Sequence, residues 1–230
     1  MTVPLAIDGV PLGAGGGGAR DLAPLTVAVP AHEAVALLGD EGSGIGRLGG
    51  YALGLERPPA GRIAVFDTII ADLPERERLA YRRRVGYLPA GDGLLQNLSL
   101  RNNVALPLRF GSDASPREIE GRVSVMLVAA RVTGVASLRP AQATEEERRR
   151  AAFARALAFD PALLILEQPF DGLTTRTAAE LLELARGGEI AEGARRTILI
   201  TGHELPAGLH HRVERVYRVT RAGTLQLEPA

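Results

Sequence analysis

Three short apolar runs constrain the fold of this chain more than any other feature: Val35 to Leu38, Leu163 to Leu166 and Thr197 to Thr201. Each is bounded by turn residues, and helical patterns separate them, so each reads as a buried β-strand. Strands alternating with helices predict an α/β domain with a largely parallel sheet. Ligands of such sheets bind at the carboxyl ends of the strands. At those ends the sequence reads GDEGSG, EQPFDG and GHEL.

The first of these ends carries a recognisable spacing. AVALLG runs into GDEGSGIGRL, residues 39 to 48, and a helical pattern comes after it. From Gly39 to Gly44 the spacing is G-x-x-x-x-G, that of a turn whose backbone N–H groups cradle phosphates. The motif then requires Lys, which neutralises the β and γ phosphates, and Ser or Thr, whose hydroxyl holds Mg²⁺. This chain has Ile45 and Gly46 there, with Arg47 next. Gly39, Gly42, Ser43 and Gly44 preserve the backbone turn, whereas Asp40 and Glu41 place carboxylates that repel phosphate beside it. Gly46, Gly49 and Gly50 weaken the helix after the turn by about 1 kcal/mol each relative to Ala. The helical position of Arg47 is expected to point it away from a phosphate. No other residue supplies the missing lysine, because all 27 basic residues are Arg.

Composition excludes several classes. Without Cys there are no disulfides, thiolate metal sites or cysteine nucleophiles. No run approaches the roughly 18 apolar residues of a membrane span, and MTVPLAIDGVPLGAGGGGAR lacks the features of a signal peptide. With 27 acidic and 27 basic residues, no global field favours nucleic acid or an anionic membrane. A single domain with an inserted subdomain fits 230 residues. Gly13 to Gly18 reads as a turn between N-terminal strands, Ser112 to Pro116 as a break before helical segments over 117–132, and VERVYRVTRAGTLQLE as a hairpin around Ala222-Gly223.

From Pro58 onward the segments resemble, in order, the ATP-binding subunit of an ABC transporter. GLERPPAGRIAVF is similar to the stretch after that family's phosphate loop, and VGYLPAGDGLLQNLSLRNNVALPL to its Q-loop and the start of its helical subdomain. RRRAAFARALAFDPALLILEQPFDGL resembles the signature helix, Walker B strand and D-loop, and RTILITGHEL the switch strand with its histidine. NNVALPL and EQPF resemble the bacterial lipid- and lipoprotein-transport branches. The resemblance implies a P-loop NTPase core of the ABC type over about 1–90 and 151–230, with an N-terminal antiparallel β subdomain and a helical subdomain over about 91–150. It also implies a transmembrane permease partner, a homo- or heterodimer of ATP-binding subunits, and a cytoplasmic place on the inner face of the membrane.

Carried over residue by residue, the resemblance implies widespread loss of chemistry. The Walker B Asp and Glu align with Glu167 and Gln168. Glu167 keeps a carboxylate for the metal shell, but Gln168 cannot accept a proton from the attacking water. The alternative reading of this pair is a strand end with two solvent-facing polar residues. The signature aligns with Ala143-Thr144-Glu145-Glu146-Glu147, where Thr144 and Glu147 have capping-box spacing and three glutamates occupy the turn that would meet a partner's γ-phosphate. The Q-loop Gln aligns with Ala90, Gln96 lying six residues too late, and the D-loop Asp aligns with Thr174. Leu12 to Gly18 contains no ring to stack on adenine. Only the switch histidine, His203, is unchanged; His210-His211 reads as a solvated pair with no metal role.

The expectation is a non-catalytic homologue serving a transporter structurally or as a regulator, requiring no cofactor and binding Mg·ATP weakly or not at all. The alternatives are a nucleotide-binding, weakly active ATPase subunit, and a repurposed scaffold holding a protein or cation near Asp40, Glu41 and Glu145–Glu147.

Overall fold

The computed structural model describes residues 3–12, 24–40, 42–187, 195–219 and 224–228. In chain order the strands and helices are β1 (Leu5–Val10), β2 (Leu25–Val29), β3 (Ala34–Gly39), α1 (Leu48–Ala52), β4 (Arg62–Val65), α2 (Glu75–Arg83), β5 (Val85–Leu88), α3 (Leu100–Gly111), α4 (Pro116–Ala129), α5 (Glu145–Ala156), β6 (Leu163–Glu167), α6 (Thr175–Arg186), β7 (Thr197–Gly202), β8 (Arg215–Val219) and β9 (Leu225–Leu227). The central sheet has the order β5-β6-β7-β3-β8-β9, and a smaller sheet the order β2-β1-β4. The β3, β5, β6, β7 and β8 pairings are parallel, and β9 joins antiparallel. The small sheet is antiparallel throughout.

The three apolar runs are the middle of the large sheet, and their residues alternate between two cores. Ala34, Ala36 and Leu38 face one cluster, with the helices α3 to α6; Val35 and Leu37 face the other, with the small sheet and α1. Leu164 and Leu166 likewise oppose Leu163 and Ile165. Burial on both faces explains why these strands are apolar at every position rather than at every second one.

Helix starts are set by short polar side chains. Ser99, Ser115, Thr144 and Thr174 each accept a hydrogen bond from the N–H three residues on, opening α3, α4, α5 and α6. Helix ends are closed by arginine in this lysine-free chain: Arg82 donates to Leu53 O at 3.0 Å, Arg122 to Ala158 O at 3.0 Å, and Arg196 to Ala185 O at 3.2 Å. Buried Asn103, within NNVALPL, bonds Leu95, Leu98 and Ser99 through its amide, so this polar residue ties the preceding loop to α3.

Two expectations need adjustment. The helical segment placed over 117–132 begins at Pro116 and ends at Ala129, because Arg131 adopts a left-handed backbone with φ of 60° that no helix continues through. Helix α5 also runs unbroken through residue 150, so the edge drawn there between helical subdomain and core lies inside one helix. The terminal hairpin is present as β8 and β9, with Tyr217 opposite Leu227; Ala222-Gly223 lies outside the described residues, as does Gly13 to Gly18. Among the described residues no helix is long and apolar enough to cross a membrane.

Candidate functional site at the strand ends

The parallel register places Leu38 beside Gly202 and Glu167 beside Thr201, so the ends of β3, β6 and β7 meet. A hydrogen-bonded chain closes them. The Gln168 Nε2 atom lies 2.9 Å from His203 Nε2, and His203 Nδ1 lies 3.1 Å from Gly39 O. With the Gln168 amide donating, the ring is the Nδ1–H tautomer and donates to the Gly39 carbonyl. Gln168 sits at φ 45°, with its own N–H on Thr201 O at 2.7 Å.

The glycine-rich turn keeps its backbone shape. Gly42 and Gly44 hold φ values of 86° and 79°, where a side chain would be strained. Part of the cradle is closed on itself, since the Ser43 N–H donates to Asp40 O at 2.9 Å. Ile45 turns down into the core and is 6% exposed. The turn leads into a single 3-10 turn over Ile45–Arg47 and then the five residues of α1. Arg47 is engaged by two neighbours: its Nη2 pairs with Glu56 Oε2 at 2.9 Å, and its guanidinium lies 5.1 Å from the Tyr51 ring centre. Asp40 is exposed beside the turn, and Glu41 lies outside the described residues.

Glu167 overturns the expectation of a solvent-facing strand end, for it is only 5% exposed. Its Oε2 accepts from the Ala90 N–H at 3.3 Å, while its buried Oε1 makes no hydrogen bond of good geometry. Gly49 is required by the close approach: a Cβ there would come within 2.5 Å of both Glu167 Oε1 and the Tyr87 ring. Burial pushes the Glu167 carboxyl above the usual range, opposed in part by the Tyr87 hydroxyl and the N–H groups of Ala90 and Gly49. Burial, with the facing carboxylate second, raises the Tyr87 hydroxyl as well.

Ala90 opens a loop that α5 holds from below. Arg148 Nε pairs with Asp92 Oδ2 at 3.0 Å, Arg149 donates to Gly91 O, and Arg155 donates to Gly93 O at 2.6 Å and Asp92 O at 3.1 Å. At the start of α5 the capping box is formed in both directions, Glu147 N to Thr144 Oγ1 at 3.2 Å and Thr144 N to Glu147 Oε2 at 2.8 Å. Glu146 pairs with Arg150 at 2.8 Å, and Glu145 lies against the turn at Gly172. Thr174 is the N-cap of α6. His210 and His211 sit in one 3-10 turn remote from these strand ends, His211 exposed.

Residues 22–171 match the ABC transporter family. The chain belongs to that family. It is 30% identical over 184 residues to the methionine import ATP-binding protein MetN 2 of Pseudomonas aeruginosa, covering 80% of this chain and 54% of that one. It is 31% identical over 179 residues to the sulfate/thiosulfate import ATP-binding protein CysA of Mesorhizobium japonicum, covering 76% and 50%. The chain thus spans about half the length of the curated relatives it matches. Its fold superposes on a dimeric post-hydrolysis structure of the ATP-binding cassette MJ0796 bound to ADP and Pi, with a TM-score of 0.83, 23% identity and 97% of each chain covered.

In this ABC-type domain the structure brings together Gly39, Glu167, Gln168, His203 and the backbone of Ala90. Arg47 is engaged instead with Glu56 and Tyr51. Glu145–Glu147 and Thr174 lie at the starts of α5 and α6, where Glu146, Glu147 and Thr174 are taken up by their own helices and Glu145 lies against Gly172. Sequence reasoning missed Glu56, Tyr87 and the trio Arg148, Arg149 and Arg155. The sole advance signal was the pair Gly91 and Gly93, both at positive φ, flanking an acid that an arginine-rich helix could reach.

Proposed function

We propose that this chain is a non-catalytic ABC ATP-binding subunit that serves a membrane transporter as a structural or regulatory partner. The observation that carries the reading is the loop's missing cation. Ile45 is buried beneath the turn, Arg47 is committed to Glu56 and Tyr51, and the chain contains no lysine. These residues do not fit Mg·ATP. A triphosphate needs charge neutralisation at the β and γ groups, and the nearest fixed side chains offer a hydrocarbon and the Asp40 carboxylate. A metal would meet one Glu167 oxygen on the Ala90 N–H and the other, Oε1, buried without a hydrogen bond of good geometry, with Gly46 where the hydroxyl ligand should be.

The strand-end chain supports the same reading. Gln168 has no basic lone pair for a water proton, and its amide is bonded to His203. What the chain retains is the scaffold by which such a subunit meets others: the two-core sheet, the helical layer and the α5-bound loop that starts at Ala90. A permease and a second ATP-binding subunit are the partners we assign, at the inner face of the membrane. A lipid-type cargo is supported by NNVALPL and EQPF alone. The cation-binding alternative loses support, because Glu146 and Glu147 are taken up within α5.

The test is Mg-dependent phosphate release from ATP by the purified chain. The reading predicts no release above buffer; ordinary turnover overturns it and favours a weakly active ATPase subunit.

A further inference from the structure

A hollow of about 380 Å³ lies between the end of α4, the first half of α5 and the outer face of α6. None of Gly39, Ala90, Glu167, Gln168 and His203 lines it. Its walls carry four guanidiniums, from Arg131, Arg150, Arg176 and Arg212, against two carboxylates, from Glu180 and Glu183. Ala179 and Leu184 contribute an apolar floor.

Three of the arginines converge on one carboxylate. Arg150 reaches Glu180 at 2.8 Å, Arg131 at 3.0 Å and Arg176 at 3.3 Å. Arg212 pairs with Glu183 at 2.9 Å. Even with Glu146 counted, which holds Arg150 from outside the walls at 2.8 Å, cations outnumber carboxylates by four to three. In a chain of zero net charge this is a local concentration, not a reflection of composition. One carboxylate cannot use the donors of three guanidinium forks.

Two of the arginines are placed for more than pairing. Arg131 occupies a left-handed position directly after the end of α4, at φ 60°. Glycine or asparagine fills such a position with less strain, and this backbone fixes where the arginine side chain departs. Arg131 and Arg176 pair with Glu180 through one nitrogen each, and their side chains are 64% and 86% exposed. Both line the hollow. Arg150, by contrast, is 9% exposed and fixed on both arms, which makes it the rigid back of the site. Planar forks around a fixed cation suit the oxygens of a phosphate, which accept paired N–H bonds. The apolar floor suits a carbon body beside it.

We propose that this hollow binds a small organic phosphate monoester, with Arg131 and Arg176 closing on its phosphate and Ala179 and Leu184 against its carbon part. Glu180 then acts as an internal stand-in that organises the arginines when the ligand is absent. The site is separate from the strand-end loop, so it stands whatever the fate of the nucleotide reading.

The experiment is a calorimetric titration of the whole chain with phenyl phosphate, repeated on the double variant Arg131→Gln/Arg176→Gln. Both substituted residues are exposed, and an unchanged melting temperature of the variant shows that the fold is kept. The wild-type protein is expected to bind with a Kd below about 1 mM, and the variant at least roughly tenfold more weakly. Inorganic phosphate, lacking the carbon body, is expected to bind more weakly than phenyl phosphate. Absence of heat with the wild-type protein, equal affinity of the variant, or equal affinity for inorganic phosphate overturns the proposal.

Discussion

The turn after β3 and the start of α5 are the two places where our proposal puts a lost phosphate contact, and their local structures differ. After β3 the segment is a 3-10 turn and five residues of helix, with glycine at 46, 49 and 50 and no capping side chain. At α5, Thr144 and Glu145–Glu147 start a well-capped helix: a reciprocal capping box, three acids at the positive end and twelve residues of continuous helix. Loss of a ligand site therefore does not imply loss of local stability. The turn draws its contacts from the core beneath it, where Ile45, Leu48 and Tyr51 are buried. The helix start needed only side-chain caps.

The largest effect that tests this contrast is expected at Gly49. A methyl group there meets Glu167 and the Tyr87 ring at 2.5 Å, so Gly49→Ala should destabilise the fold by roughly 1–3 kcal/mol in urea melts. A neutral result would mean that the β6 end is not packed as described. Next comes the α5 cap: Thr144→Ala removes the side chain that accepts the Glu147 N–H and should cost about 1 kcal/mol. The opposite sign is expected at the turn. Gly46 has nothing within 4 Å of an added Cβ and no positive φ, so Gly46→Ala should stabilise by about 0.5–1 kcal/mol. Destabilisation there would mean that the turn is already optimised, and the comparison would fail.

The smallest effect concerns pH. Burial raises the Glu167 carboxyl in the folded state above its ordinary value of 4.5. The folded protein therefore binds that proton more tightly than the unfolded chain, and stability falls as pH rises from about 4.5 through the folded value. Glu167→Gln should remove this loss, so its melting temperature relative to wild type should rise between about pH 4 and pH 7.5. A constant difference across that range would show that Glu167 carries no burial penalty.

Much of this was readable from the chain. The three apolar runs became adjacent central strands, and Thr144 with Glu147 formed the box that their spacing required, because both features depend on residues close in sequence. The direction of Arg47 was readable from its helical position, but its partner was not: Glu56 comes after a helix end and a turn, and no periodicity links the two. The burial of Glu167 was hidden for a related reason. It depends on Gly49, Tyr87 and Ala90, which only the folded sheet brings to the end of β6. The grip of Arg148, Arg149 and Arg155 on the loop at Gly91–Gly93 likewise joins residues more than fifty positions apart.

The most direct test of the central claim is a calorimetric titration of the purified chain with ATP, with and without Mg²⁺. On our proposal, with Ile45 buried and Arg47 paired with Glu56, no binding heat is expected at millimolar ATP in either condition. Binding at micromolar affinity would contradict the account, and would show that the glycine backbone holds a triphosphate without a lysine.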